Sequence, residues 1–350
     1  MNFRNLLILC SLAIFYWQCS SQANKNQNQT NLIRLNGKTM GSGYNVSYRD
    51  SLNRNFQPQI DSFLQELNRQ VSTYDSSSVI SQLNSNKLLA WSKSQNEHLS
   101  ALLLISKQIY TNTNGYFNPA VKPLVNYWGF GYKTKKPIET ADPKVVDNLL
   151  QITDFQKISI DSSSKDSIFI RKTEPRTQVE FNAIAPGYAA DEIAKFLSAK
   201  GIQHFLVEIG GEIRANGKSS AQFGWKVGIN RPSPDAGLEE LQAVVELNDI
   251  SLATSGNYRS FYEKDGKKYV HTINPKTGYT EQNTLLSASV FAPTAAEADA
   301  YATAFMAMGL EKSSELIPKL TFLKVFLIFV DEKGEISERY INGAEKLFVE

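Results

Sequence analysis

Between Phe322 and Val330 the only polar side chain is Lys324. A strand this apolar has no face to offer water, so it belongs inside a sheet that is covered on both sides. Leu285 to Phe291 reads as a second strand, and the segment between them, Ala295 to Leu310, as a helix rich in alanine. Further upstream, Ile60, Phe63, Leu64, Leu67 and Val71 recur at helical spacing in a helix ending near Ser72. Leu99 to Tyr110 predicts another helix, and Tyr188 to Ala199 a third, closed by Gly201. Phe205 to Ile209 is a strand running into Gly210-Gly211. Helices and strands interleave without the regular alternation of a doubly wound sheet. The expected fold class is therefore α+β, with mixed or antiparallel sheets and packed helices.

Composition narrows the function classes. The 350 residues are 42% hydrophobic, enough for a large core, which excludes a disordered or fibrous chain. Lys+Arg 37 against Asp+Glu 35 leaves a net charge of +2, too even for a broad nucleic-acid surface. The two cysteines, Cys10 and Cys19, can build neither a disulfide framework nor a cysteine-based zinc site.

Both cysteines lie in a leader-like stretch. Arg4 supplies a positive start, and Leu6 to Trp17 is apolar apart from Ser11, too short to span a bilayer. A cysteine closing such a run resembles a bacterial lipoprotein signal, although Trp17-Gln18 depart from the small residues usual before it. An uncleaved start-transfer anchor is the other reading. Residues 1–18 are expected to be a signal peptide and 19–31, rich in Ser, Gln and Asn, a solvated tether. Residues 32–350 are expected to form one compact unit of two lobes around a cleft. On this reading the protein is exported and held on the membrane through a lipid on Cys19, facing the periplasm.

Several segments carry more glycine, asparagine and aromatic side chains than turns require. Gly37 to Val46 reads as a glycine-rich hairpin leading into an edge strand. Thr73-Tyr74-Asp75 ends one helix before a serine that caps the next, and Tyr74 is either packing or a flat platform for a ligand ring. Gly115-Tyr116-Phe117-Asn118-Pro119, continuing to Gly131, is either loop core or the wall of a pocket for an aromatic ligand. Glu180 to Tyr188 opens a helix carrying Asp191, with Pro186 in the first turn, and such an end presents backbone N–H groups to a phosphate. His271 ends a strand before the turn Asn274-Pro275-Lys276-Thr277-Gly278, whereas His98 and His204 lie in ordinary helical and pre-strand contexts. Asp299 and Thr303, one helical turn apart, suit a hard cation such as Mg²⁺, or else Asp299 only offsets the helix dipole.

Taken in order, Thr39-Met40-Gly41, Ser72-Thr73-Tyr74, Asn118-Pro119, Trp128-Gly129-Phe130-Gly131, Gly187-Tyr188-Ala189, Glu208-Ile209-Gly210-Gly211-Glu212, Ala253-Thr254-Ser255-Gly256 and His271 with Pro275-Lys276-Thr277-Gly278 resemble the ApbE family. These are FAD:protein FMN transferases, and the resemblance runs from about Gly37 to Gly309. It implies an ApbE-like, T-fold-related domain and an enzyme that splits FAD between its phosphates. FMN is then joined to a threonine or serine hydroxyl of a target redox protein, AMP is released, and Mg²⁺ is required. The acceptor is expected among subunits of membrane electron-transport complexes. The alternatives are hydrolysis of FAD to FMN and AMP, or a flavin-binding lipoprotein without chemistry.

Residue by residue, the resemblance places Met40, Tyr74, Tyr116, Phe117, Asn118, Glu180 and Ile273 at FAD contacts. It places the backbone carbonyl of Ala183, with Asp299 and Thr303, at the metal, and His271 at the transfer step. Departures from the family's usual residues occur at Asn118, Glu180, Pro186 and Asn274. Ala302 stands where some relatives have an acid that would hold a second metal, so a single ion is expected.

Overall fold

The computed structural model describes residues 31–131, 141–220, 223–232, 240–256, 261–264, 267–270, 272–280 and 283–349. The expected signal peptide and nearly all of the tether, including Cys10 and Cys19, lie outside them. Among the described residues no helix is long and apolar enough to cross a membrane.

An eight-stranded sheet organises the chain, and its strands follow one another in space in the order of the sequence. They are Asn31–Thr39, Ser42–Asp50, Phe205–Ile209, Glu212–Asn216, Ile250–Gly256, Leu285–Ala292, Lys324–Val330 and Ile336–Ile341. Every neighbouring pair is antiparallel. The glycine-rich hairpin exists, with its turn at Met40 (φ 50) and Gly41 (φ 75). Its first strand, Asn31–Thr39, forms the edge, so the strand carrying Tyr44, Val46 and Tyr48 is internal rather than an edge. Tyr44, Val46 and Tyr48 are accordingly buried to 1% exposure or less.

The strand Lys324–Val330 is covered on both faces, as its composition requires. Val325 and Leu327 enter the main core, while Phe326 and Ile328 enter a second one on the opposite side of the sheet. The main-core side is covered by helices. Ala185–Ala199 and Ala295–Met308 cross over the central strands, with Gln57–Val71 and Glu97–Asn112 beyond them. The other side is covered by a three-stranded sheet of Trp225–Asn230, Leu241–Leu247 and Phe348–Val349. A third, small cluster joins Leu124 and Trp128 to Ile273.

The two central helices meet backbone to backbone. A Cβ on Gly187 would lie 2.3 Å from the Ala295 carbonyl oxygen, so this position admits only hydrogen. Asp191, buried in the same crossing, accepts from the Ala295 and Ala296 N–H groups at 2.8 and 2.9 Å. The first helix thus caps the second with a carboxylate, where the helix dipole favours negative charge. Thr294 and Glu297 complete the cap: the Glu297 N–H donates to Thr294 Oγ1 at 3.2 Å, and that hydroxyl donates to Glu297 Oε2 at 2.8 Å.

Candidate active site

A cavity of about 810 Å³ opens where the central strands, the crossed helices and the small third cluster meet. That volume suits a large organic ligand. Four backbone features shape its walls. The chain leaves strand Phe205–Ile209 through Gly210 (φ 67) and Gly211 (φ 110), and this two-residue turn brings Glu212 back beside Ile209. Strand Ile250–Gly256 presents Leu252, Thr254 and Ser255. Helix Ala295–Met308 presents Asp299, Thr303 and Ala307 at successive turns of one face. The stretch Glu180 to Ile184 leads into the first crossed helix.

Carboxylates concentrate on this wall. Asp299 is 5% exposed, and its contact with the Gly187 N–H is long, 3.4 Å. Burial raises its pKa well above the ordinary carboxylate value, and the nearby Glu212 charge adds to the rise. Burial also pushes Glu212 up to about 7, its own backbone N–H opposing the rise and Glu208 adding to it. Glu180 is raised to about 7 by burial, against the opposing charge of Lys122. Behind the wall, in the helix crossing, Asp191 is raised to about 6 by burial, held back by the two N–H groups of the helix it caps. Acids gathered in a low-dielectric wall favour either a proton or a cation beside them.

The structure brings most of the expected site residues onto this one cavity. Tyr116, Phe117, Asn118, Glu180, Ala183, Ile273, Asp299 and Thr303 all line it. Met40 and Tyr74 do not: Met40 packs against the main core at its hairpin tip, and Tyr74 is 55% exposed. His271 lies outside the described residues. The aromatic segment from Gly115 to Gly131 serves both of the roles left open for it. Tyr116, Phe117 and Phe130 face the cavity, while Leu124 and Trp128 form a local core. Asn118 uses its side chain internally, accepting from the Ala120 N–H and donating to the Thr153 carbonyl, both at 2.9 Å.

The helix opening at Ala185 differs from the expected phosphate cradle. Its Ala185 N–H donates to the Phe181 carbonyl, Pro186 has none to give, and the Gly187 N–H points at Asp299. This helix end therefore addresses an acid of the protein. The dipole reading of Asp299 is also displaced, since Asp191 and Thr294 cap that helix instead.

The residues expected at a metal are compatible with Mg²⁺. Ala183, Asp299 and Thr303 share the wall, and Thr303 Oγ1 lies 3.3 Å from Ser255 Oγ. Asp299 is a buried carboxylate with one weak hydrogen bond, the situation a hard cation with oxygen ligands relieves. Among the described residues no three His, Cys, Asp or Glu side chains gather around one point. A site built from one carboxylate, one hydroxyl and one carbonyl would leave several positions to water and substrate oxygens, as Mg²⁺ commonly does.

Glu212 and Asp191 are the two residues whose importance residue patterns missed. For Glu212 the signal was available: a strand followed by Gly-Gly is a hairpin, and its exit residue returns to the face of Ile209. For Asp191 there was none, because the groups it caps come from a helix more than a hundred residues away.

The ApbE family model matches residues 40–327. The chain is 33% identical over 317 residues to the FAD:protein FMN transferase of Haemophilus influenzae, covering 89% of this chain and 90% of that one. It is 32% identical over 350 residues to the FAD:protein FMN transferase of Escherichia coli, covering 97% and 96%. Its fold superposes on the flavin transferase ApbE from Vibrio cholerae with a TM-score of 0.79 at 29% identity, covering 91% of this chain and all of that one. With the ordered motifs and the α+β architecture agreeing, this chain belongs to the ApbE family.

Proposed function

We propose that the chain is an FAD:protein FMN transferase, dependent on Mg²⁺, that attaches FMN to a threonine or serine hydroxyl of a redox protein. The observation that carries this reading is the single cavity that joins an aromatic wall at Tyr116, Phe117 and Phe130 to a buried oxygen-ligand set at Asp299 and Thr303. A flat ring system and a phosphate–metal unit belong to one ligand only if both walls face one space. The names of the related enzymes support the same substrate.

In the reaction the acceptor hydroxyl oxygen attacks the phosphorus of the FMN half. A new P–O bond forms, the bond to the second phosphate breaks, and AMP leaves with that phosphate. Mg²⁺ would neutralise charge on the phosphate oxygens, with Ala183, Asp299 and Thr303 holding it. Tyr116, Phe117, Phe130 and Ile273 exclude water from the ring system, and Glu180 offers a hydrogen-bonding group at the cavity wall. His271 takes the hydroxyl proton or assists the leaving phosphate, within ordinary general acid–base logic.

The direct assay mixes the purified chain, FAD, Mg²⁺ and an acceptor domain with a Ser/Thr-containing motif. A mass gain of one FMN on the acceptor is the expected result. FMN and AMP without a labelled acceptor would favour hydrolysis, and unchanged FAD would favour storage. The leader sequence supports an exported lipoprotein facing the periplasm, with acceptors among membrane electron-transport subunits. Cys19→Ser should release the protein from the membrane fraction, and full retention in that fraction would argue against the lipid anchor.

A further inference from the structure

The cavity's walls rest on two foundations. Glu180 to Ile184, Asp299 and Thr303 belong to elements fixed in the main core, whereas Ile273 stands on the small cluster with Leu124 and Trp128. The segment from Thr272 to Thr280 is folded on itself. The Asn274 N–H donates to the Tyr279 carbonyl and the Gly278 N–H to the Asn274 carbonyl, both at 2.8 Å, and Ile273 bridges Thr280. Such a closed turn keeps its own shape but needs attachments to fix where it sits.

Two attachments stand out. Gly278 (φ 76) lies flush on helix Pro143–Ile152, where an added Cβ would come within 2.6 Å of Val146. Trp128, 2% exposed, donates its indole N–H to the Gly278 carbonyl at 2.7 Å. The Trp128 ring also packs against Tyr279, centroids 5.9 Å apart. One buried side chain thus grips the turn through a directed bond and a ring contact together.

We propose that Trp128 is a positioning residue, whose indole N–H sets the height of the 272–280 turn and so the fit of Ile273 against the flavin. The proposal rests on the flavin-binding reading of the cavity. Replacing the indole by a phenyl ring leaves the Gly278 carbonyl buried without that donor, a penalty that the turn can escape only by shifting. A shift would be felt by the ligand that Ile273 touches and not by the main-core wall.

The test measures FAD dissociation by flavin anisotropy on the full folded chain, without acceptor, well below its melting temperature. Trp91→Phe is the control: Trp91 is also buried and donates to Ser100 Oγ at 2.9 Å, but Ser100 belongs to no segment that lines the cavity, whereas the turn held by Trp128 carries Ile273. Both variants should lose comparable thermal stability. Trp128→Phe alone should raise the FAD Kd by roughly tenfold while Mg²⁺ binding holds. If Trp128→Phe does not fold, Tyr279→Ala removes only the ring contact and should raise the Kd about threefold. An unchanged Kd in the folded Trp128 or Tyr279 variant overturns the proposal, as does an equal rise in Trp91→Phe. A wild-type chain that binds no FAD would instead overturn the flavin-binding reading, and this inference with it.

Discussion

The two faces of the eight-stranded sheet are built from different materials. Against the three-stranded sheet, the buried side chains are Trp225, Phe291, Phe326, Ile328 and their neighbours, with Phe326 and Phe348 edge to face at 4.9 Å. On the helix side, the crossing of Ala185–Ala199 with Ala295–Met308 is rich in alanine, Gly187 lets two backbones touch, and Asp191 and Asp299 are buried there, with larger side chains such as Leu64, Leu67 and Phe305 in the core around it. Large apolar side chains gain stability by area and dispersion and hold their place without help. Small ones forgo part of that gain but let polar groups be set at short, fixed spacing. Both faces anchor the fold, but only the helix crossing gives up apolar area, and it does so locally, to set polar groups at fixed spacing.

That division can be broken first at Asp299. Asp299→Ala should reduce Mg²⁺-dependent turnover by on the order of 10³-fold or more. It should leave the melting temperature level or higher, because it deletes a buried carboxylate with one weak hydrogen bond. Full activity would remove Asp299 from the metal assignment. Phe326→Ala should do the reverse. A loss of about 3–5 kcal/mol in denaturant unfolding is expected, with turnover per folded molecule little changed. If turnover falls as steeply as stability, the faces are not independent.

The smallest effect concerns pH. Glu180 has its pKa raised from 4.5 to about 7 by burial, so the native state holds a proton that the unfolded chain has lost. Stability of the ligand-free protein should therefore fall as pH rises through that window and level off above it. Glu180→Gln should flatten the fall by about 1–3 kcal/mol, read from unfolding midpoints at pH 5 and pH 8. A wild-type midpoint that does not move would show the wall to be better solvated than its burial implies.

What could be read from residues alone follows the same division. Lys324–Val330 was legible because both of its faces are buried, and Phe205–Ile209 because alternation and Gly-Gly punctuate it. Glu212–Asn216 was not, since Glu, Arg and Asn on one side of a strand look like a loop until helices are known to cover them. Trp225–Asn230 was hidden likewise, with Gly228 in its middle and an exposed lysine. At the site, the ordered motifs drew eight residues onto one cavity. The fate of Met40, Tyr74 and the helix end at Ala185 depended on tertiary neighbours. Gly187 reaching Asp299 is a contact between segments more than a hundred residues apart, and no local pattern encodes it.

The strand order carries a consequence for how the chain assembles. Lys324–Val330 and Ile336–Ile341 are joined through residues 331–335, but Ser42–Asp50 must find Phe205–Ile209 across residues 51–204. Closing the longer loop costs about 3 kcal/mol more in chain entropy. The short-loop hairpins, at the N-terminus, at Gly210-Gly211 and at the C-terminus, are therefore the natural early units, and the N-terminal hairpin docks on Phe205–Ile209 late. Until it does, strand Phe205–Ile209 is an open edge, so the interval before docking is when a newly made chain is most exposed to mispairing with its neighbours.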